Sequence, residues 1–127
     1  PHFMNQRGQH RLNVVRETYR ATRDMLKPGY CGKQIDVVGA KIFEKHGLTP
    51  YIVCPFLHTI GLMEAERPFF GPNGEDELEP GMTVSIDISF FGHPVHHGAR
   101  IETGFVITDK GYEPLSPEMD ARLSAEL

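Results

Sequence analysis

The feature of this 127-residue sequence that most constrains its fold is the stretch 82–91, in which apolar and polar residues alternate from Met82 to Phe90. Successive side chains of a β-strand point to opposite faces of its sheet, so this alternation predicts a strand with one apolar and one polar face. The polar face carries an acidic residue, Asp87, in the middle of the strand. The apolar face, which we predict to lie in the core, comprises Met82, Val84, Ile86, Ile88 and Phe90. The chain must therefore fold around a sheet.

A second strand is predicted over residues 100–108. Its apolar face comprises Ile101, Thr103, Phe105 and Ile107. The intervening loop, residues 92–99, is short enough for the two strands to pair antiparallel. In such a hairpin Asp87 and Glu102 can converge on the same face.

Two helices precede these strands. In residues 6–26 apolar positions recur at steps of three and four, which predicts a helix with one buried face that ends before Pro28 and Gly29. The same spacing predicts a second helix over 34–46, with Gly47 as its left-handed C-terminal residue.

The region between the helices and the hairpin is predicted to hold one more strand and a loop. A β-rich apolar run at 51–54 is bounded by prolines and predicts a strand, whereas the glycines, prolines and acids of 69–81 predict a loop. Helices followed by antiparallel strands around one core indicate an α+β domain.

The composition excludes several classes of function. The net charge is -4 and the basic residues are scattered among a larger number of acids, so a nucleic-acid partner is not expected. No apolar run approaches the roughly 20 residues that span a bilayer, and no charged-then-apolar leader opens the chain. We therefore expect a cytoplasmic protein without a membrane partner.

The cysteines and the chain start are uninformative about catalysis. Cys31 and Cys54 have neither metal-binding nor disulfide spacing, which fits a reducing compartment, and the apolar surroundings of Cys54 predict an inert buried thiol.

Residues 1–3 precede Met4 and are interpreted as a remnant of an expression vector, which leaves 4–127 as a single domain.

A carboxylate in the middle of a strand has to be solvated, paired or bound to a cation, because burying an unpaired charge is costly. Asp87 and Glu102 both occupy such positions, and His58 follows the end of a predicted strand. A neutral imidazole with two carboxylates is a ligand set that suits Mn, Fe, Co or Zn, so the trio suggests a metal site. A simpler interpretation stays open and is favoured by composition alone: Asp87 pairs with Arg100, Glu102 faces solvent and His58 caps a loop.

Other polar residues are weaker candidates. His96 and His97 are adjacent in a loop, where their side chains point apart, so a solvated loop is favoured over a metal clip. Asp24 and Asp36 fall within or beside helices, where acidic side chains normally face water. Surface or tag positions are assigned to His2, His10 and His46.

Five short motifs follow one another along the chain: 26–29 (LKPG), 58–62 (HTIGL), 78–82 (LEPGM), 85–87 (SID) and 100–102 (RIE). In order and spacing they resemble the C-terminal part of the creatinase / Xaa-Pro aminopeptidase / prolidase family of M24 metallopeptidases. The motifs cover nearly the whole chain, and five in one order argue against a chance match.

This resemblance implies the C-terminal half of a pita-bread fold, with helices packed on a curved antiparallel sheet. Peptidases of the family hold two divalent ions, usually Mn or Co, with Zn or Fe as alternatives, through two aspartates, one histidine and two glutamates. The matching positions are His58, Asp87 and Glu102, and Arg100 is a neighbouring charge for substrate binding. The implied chemistry is a metal-activated water that attacks a peptide or small amide substrate.

Four departures from the family pattern lower the activity expected of this chain. In the family, the two metal-binding aspartates belong to a strand that precedes the first helix, and this sequence starts at that helix. The family's second histidine is replaced by Ala65. The acidic ligand Asp87 is one methylene shorter than the glutamate found at this position in the family. Thr103 also replaces an aspartate. We therefore expect weak or no turnover, and a homodimer or higher oligomer that covers the open sheet edge.

Two alternative functions stay open within the same fold. One is a metal-free, creatinase-like hydrolase or lyase that acts on a small molecule, in which case no metal cofactor is used. The other is a non-catalytic protein-binding module, in which the residues of the trio have no chemical role.

Overall fold

The structure is a computed structural model that describes residues 6–61, 71 and 73–125. Its elements in chain order are α1 (Gln6–Arg23), α2 (Gly32–Lys45), a short 3-10 helix (Thr49–Tyr51), β1 (Leu57–Thr59), β2 (Thr83–His93), β3 (His97–Thr108), β4 (Gly111–Pro114) and α3 (Pro117–Ser124). The described strands form an antiparallel sheet in the order β1-β2-β3-β4. The expected mixture of helices and antiparallel sheet is confirmed.

The β2–β3 hairpin confirms the central prediction of the sequence. Asp87 lies directly opposite Glu102 in the register, and the apolar positions of β2 from Val84 to Phe90 are fully buried. Both strands extend further than predicted, because pairing continues through Phe91 and Gly98 to a turn between His93 and His97.

The polar face of β2 is also buried, although the sequence predicts only that it is polar. Ser85, Asp87 and Ser89 are each at most 3% exposed. Side chains of neighbouring elements cover this face, since Cys54 contacts Ser89, and His58 and Arg100 contact Asp87. Asp87 therefore lies in a low-dielectric environment and needs partners for its charge.

The helices cover the apolar face of the sheet. Val15 and Tyr19 of α1 and Ile35 and Phe43 of α2 join the same buried cluster as the inward residues of β2 and β3. Helix α1 ends at Arg23, three residues before the predicted end, and the chain then turns so that Leu26 is still fully buried.

Helix α2 fits against the chain that leads into β1. A Cβ atom added at Gly39 would lie 2.8 Å from the ring of Phe56, so the close approach of helix and ring requires glycine. Phe56 in turn packs edge-on against Phe43. This contact places β1 relative to α2.

The predicted strand at 51–54 is wrong. Residues Thr49–Tyr51 form a 3-10 turn, and Ile52 makes only an isolated bridge to Phe90. The prolines at positions 50 and 55 lack an N–H to donate to a sheet, so the apolar run between them cannot extend a ladder. The strand begins at Leu57 instead, which places His58 within β1 rather than after a strand end.

Two elements at the C-terminal end are not predicted by the sequence pattern. Strand β4 is short, and none of the residues of α3 is buried, so neither shows a clear hydrophobic period. The sequence does carry a local signal for the start of α3, because Ser116 is an N-cap residue and Pro117 occupies the first turn. In the structure, the Ser116 side chain accepts a hydrogen bond from the Met119 N–H.

No helix in the described part of the chain is long and apolar enough to cross a membrane. Residues 1–3 and Ala65 lie outside the described residues, so the interpretations given for them stay predictions.

Candidate metal centre

Three side chains from three adjacent strands converge on one point. His58 lies on β1, Asp87 on β2 and Glu102 on β3, and one ligand atom of each lies within 4.8 Å of the other two. Among the histidine, cysteine and acidic residues that the structure describes, these three form the one group whose ligand atoms lie close enough together to share an ion. We refer to these three residues as the candidate metal centre.

The His58 ring is oriented by hydrogen bonds at both nitrogens. Its Nδ1–H donates to the carbonyl of Thr59 at 3.0 Å, which turns Nε2 toward the carboxylates. Nε2 lies 2.8 Å from Oε2 of Glu102 and 3.7 Å from Oδ2 of Asp87. Metal-binding imidazoles commonly donate one ring N–H to a backbone carbonyl in this way, which leaves the other nitrogen to face an ion.

The two carboxylates raise the pKa of His58 to about 9. Hydrogen bonding to Asp87 is the largest cause, burial of the ring opposes it, and the Thr59 carbonyl and Glu102 add to the rise. Glu102 lies nearer to the ring, but its side chain is 37% exposed and so screened by water, whereas that of Asp87 is 3% exposed. Without a metal ion, His58 is therefore an imidazolium at neutral pH.

Asp87 is ionised despite its burial. Desolvation raises the pKa of its carboxyl, but hydrogen bonds from His58 and Arg100 outweigh that effect, so the pKa lies below its usual value. The Arg100 guanidinium forms two of these bonds, from Nε to Oδ1 at 3.1 Å and from Nη2 to Oδ2 at 2.8 Å. Nη2 also lies 3.6 Å from Oε2 of Glu102.

The structure thus combines features of both interpretations of these residues. The pairing of Asp87 with Arg100 is present, and so is the convergence of His58, Asp87 and Glu102. Two cations and two anions balance one another in the metal-free cluster. A divalent ion would have to displace the His58 proton and loosen the hold of Arg100 on Asp87.

Cys54 borders this cluster. Its Sγ lies 3.1 Å from Oγ of Ser89, whose register partner on β3 is Arg100. Cys54 is only partly buried, so its predicted core position is wrong, although burial still raises the pKa of its thiol, as expected of an unreactive group. Its position beside the site was not predicted, because it depends on how the loop before β1 crosses the sheet.

Asp36 was predicted to face water, and this is wrong. It is 8% exposed, and its Oδ1 accepts the N–H of Phe56 at 3.3 Å, while the carbonyl of Phe56 accepts the N–H of Asp87 at 3.0 Å. The backbone N–H and carbonyl of Phe56 therefore link helix α2 to the strand that carries a candidate ligand. Asp24, by contrast, is 65% exposed and lies beside Arg23, as predicted.

The remaining sequence candidates lie away from the centre. Thr103, at the position of the family's aspartate, is buried, and its backbone carbonyl accepts a bond from Ser85 Oγ at 3.4 Å. His10 is exposed, as predicted, whereas His46 is partly buried, and their rings contact each other at a centroid distance of 5.3 Å.

Residues 3–109 match the model of metallopeptidase family M24. This chain belongs to that family. It is 30% identical over 112 residues to an uncharacterised peptidase of Staphylococcus aureus, an alignment that covers 88% of this chain and 32% of the relative. The chain spans about a third of the length of the curated relatives it matches.

Solved M24 structures share the fold. The prolidase from Pyrococcus furiosus superposes with a TM-score of 0.79 at 24% identity, covering 97% of this chain and 34% of its own. The Xaa-Pro dipeptidase from Bacillus anthracis superposes with a TM-score of 0.79 at 26% identity, covering 89% and 32%. The expected family and the expected pita-bread fold, represented here by its C-terminal part, are confirmed.

Proposed function

We propose that this M24 chain is the metal-binding C-terminal portion of an Xaa-Pro-type peptidase that hydrolyses a peptide or amide bond. The observation that carries the proposal is the convergence of His58, Asp87 and Glu102 from three neighbouring strands. Family membership supports a peptidase-like function, and the similar Xaa-Pro dipeptidase supports this substrate class.

The donor set fits a divalent ion. One imidazole and two carboxylates suit Mn or Co, with Fe and Zn as alternatives, and the Nδ1 bond of His58 presents Nε2 to an ion. Although aspartate is shorter than glutamate, the carboxylate of Asp87 still reaches to 3.7 Å from the imidazole. When bound, such an ion supplies Lewis acidity that polarises a carbonyl and lowers the pKa of water.

The protein's own residues supply positioning and proton transfer. Arg100 holds both oxygens of Asp87, and its half-exposed guanidinium is accessible to an anionic or carbonyl group of a substrate. Glu102 is the most exposed acid of the cluster and is hydrogen-bonded to His58, so it is placed to accept a proton from the solvent side.

A homodimer is part of this proposal. Strand β4 pairs only with β3 from Phe105 onward, so among the described residues no strand lies beside the outer edge of β3 at 98–102. An open edge readily pairs with another chain, and a symmetric pairing would bring two candidate centres together. Sedimentation equilibrium at micromolar concentration should give the mass of a dimer, and a monomer mass would contradict this part.

A metal-free hydrolase is a second candidate, favoured by one observation. The guanidinium of Arg100 already contacts both carboxylates of the cluster, with Nη2 2.8 Å from Oδ2 of Asp87 and 3.6 Å from Oε2 of Glu102. In this case the imidazolium of His58 serves as a proton donor, and activity does not depend on added metal.

Manganese binding tests the main proposal. Metal content would be measured after dialysis against Mn²⁺ or Co²⁺ for the wild type, His58→Ala and Asp87→Ala. His97→Asn is a matched control outside the cluster. We expect one ion per centre in the wild type and the control and loss in both other variants, with weak or no cleavage of an Xaa-Pro dipeptide by this chain. Cleavage without metal favours the second candidate; neither metal nor cleavage leaves a protein-binding module.

A further inference from the structure

The sheet face that carries the candidate metal centre changes from charged to uncharged along β3. Side chains two residues apart on a strand share a face, so Arg100, Glu102 and Gly104 lie on one side of β3. In the register, Gly104 lies opposite Ser85, whose partner on β1 is His58. Gly104 therefore belongs to the row of the sheet that contains His58, and it adds no side chain to that row.

Two apolar side chains border the space above Gly104. A Cβ atom added at this glycine would lie 2.7 Å from Cδ1 of Leu115 and 3.2 Å from Cδ1 of Ile60. Leu115 directly follows β4 and is 54% exposed, whereas Ile60 directly follows β1 and is partly buried. We refer to Ile60 and Leu115 as the apolar patch. The patch thus lies on the same face as the candidate metal centre, next to the His58 row.

Backbone hydrogen bonds hold both residues of the apolar patch in place. The N–H of Leu115 donates to the carbonyl of Gly104 at 2.9 Å, and the N–H of Ile60 donates to the carbonyl of Thr83 at 3.1 Å. Helix α3 begins two residues after Leu115 and is tied to α1, because Arg16 donates to backbone carbonyls at the end of α3. The backbone of Leu115 is therefore fixed on both sides, although its side chain is exposed.

We propose that the apolar patch binds the side chain of the substrate residue that precedes the scissile bond, and that it selects large apolar residues such as leucine, methionine and phenylalanine. This preference rests on the proposed peptidase function and names the substrate class of that same site. A ligand that covers the exposed leucine of the patch gains free energy, because apolar surface of both partners is removed from water.

The apolar patch lies within reach of a peptide held at the candidate metal centre. Two residues of a strand advance by about 6.5 Å, which is the displacement of Gly104 from Glu102 along β3. One residue of an extended peptide spans about 3.3–3.6 Å. When the scissile carbonyl lies at the candidate metal centre, the side chain of the adjoining residue therefore extends over Gly104, against Ile60 and Leu115.

The charges of the cluster set the direction of the bound peptide. Arg100 lies two residues before Glu102 on β3 and Gly104 two residues after it, so the guanidinium and the apolar patch are on opposite sides of Glu102. A dipeptide carries its carboxylate on the C-terminal residue, and the half-exposed Arg100 is a cation that pairs with such a group. In an Xaa-Pro dipeptide, proline then lies on the Arg100 side and Xaa lies over the patch.

Dipeptide binding tests the proposal without requiring turnover. The affinities of Leu-Pro and Gly-Pro for the whole chain would be measured by NMR titration in EDTA and in Zn²⁺, which is diamagnetic. We expect Leu-Pro to bind about tenfold more tightly than Gly-Pro, and to shift the methyl resonances of Ile60 and Leu115. In Leu115→Ser this preference should fall to about threefold or less, whereas Met119→Ser, at another exposed apolar position, should keep it.

The ratio of the two affinities separates substrate selection from a structural role. A Leu115→Ser variant that merely loosened the fold would weaken the binding of both dipeptides equally and leave the ratio unchanged. Gly104→Ala is a second variant, because its methyl group fills the space beside Leu115 while that exposed side chain can rotate away. It should lower the ratio with native circular dichroism.

The two conditions distinguish the apolar patch from the candidate metal centre. A preference for Leu-Pro that persists in EDTA, with no gain in affinity from Zn²⁺, would support the patch while contradicting the metal centre. Binding of Leu-Pro that is no tighter than that of Gly-Pro, or absent at millimolar concentration, would refute the proposal. An unchanged ratio in both Leu115→Ser and Gly104→Ala would refute it as well.

Discussion

Arg100 on β3 holds both carboxylate oxygens of Asp87 on β2, with Nε 3.1 Å from Oδ1 and Nη2 2.8 Å from Oδ2. Asp87 is 2% exposed, so its carboxylate is desolvated, and the contacts with Arg100 and His58 offset the free-energy cost of that desolvation. Any ion that binds Asp87 must compete with Arg100. The stability of the metal-free chain and its affinity for metal are therefore linked through one carboxylate.

Replacing Arg100 by glutamine should expose this competition. Loss of the guanidinium leaves Asp87 short of partners and should lower the free energy of unfolding of the metal-free protein by about 1–3 kcal/mol. Added Mn²⁺ should then raise the melting temperature more than it does in the wild type. Thermal melts in EDTA and in Mn²⁺ measure both effects. Arg100→Lys keeps the charge but not the two-pronged hydrogen bonding, so its melting temperature should lie between those of the wild type and Arg100→Gln. Equal melting temperatures of the wild type and Arg100→Gln in EDTA would contradict the link.

The titration of His58 should be displaced to high pH in EDTA. Its pKa of about 9, against an ordinary value of 6.5, means that the protonated ring stabilises the folded state. This contribution is fully present below the ordinary value and is lost as the pH rises through about 9. Proton NMR of the ring should show the high midpoint, and Asp87→Asn, which removes the largest cause, should lower it; a wild-type midpoint near the ordinary value would contradict the cluster as described.

Substitutions of Asp36 should separate its hydrogen bond from its charge. Burial raises the pKa of this carboxyl, so its ionised form costs stability, and that cost grows as the pH rises through the folded-state pKa. Asp36→Asn keeps an oxygen for the Phe56 N–H without the charge and should be at least as stable as the wild type near neutral pH. Asp36→Leu leaves that N–H unpaired and should cost about 1–3 kcal/mol in urea unfolding; equal losses in both variants would assign the role to the charge.

Gly39→Ala should destabilise the chain even though alanine favours helices. The gain in helix propensity is at most about 1 kcal/mol, whereas forcing a methyl group against the buried Phe56 ring costs about 1–3 kcal/mol. The ring is packed against Phe43 and has little room to move. Val37→Ala, at an exposed position of the same helix, is the control and should be close to neutral; a stabilised Gly39→Ala would show that the ring can shift.

Much of the fold follows from short-range patterns. The alternation over 82–91 predicts β2, its inward face and the position of Asp87 opposite Glu102, because the period of a strand and the length of a hairpin loop are local properties. Helical spacing likewise predicts α1 and α2 to within a few residues. The strand predicted at 51–54 does not form, because the prolines that flank this apolar run have no N–H to donate to a sheet.

The sequence by itself determined the family, the two helices, the central hairpin and the identity of three candidate ligands, since all of these are written in local periods and in ordered motifs. The tertiary structure alone decided which contacts form between elements: the Arg100 fork on Asp87, the Asp36 bond to Phe56 and the ring contact of His10 with His46. These contacts join residues on different elements. Their formation depends on how strands and helices pack, and no spacing along the chain encodes that distance directly.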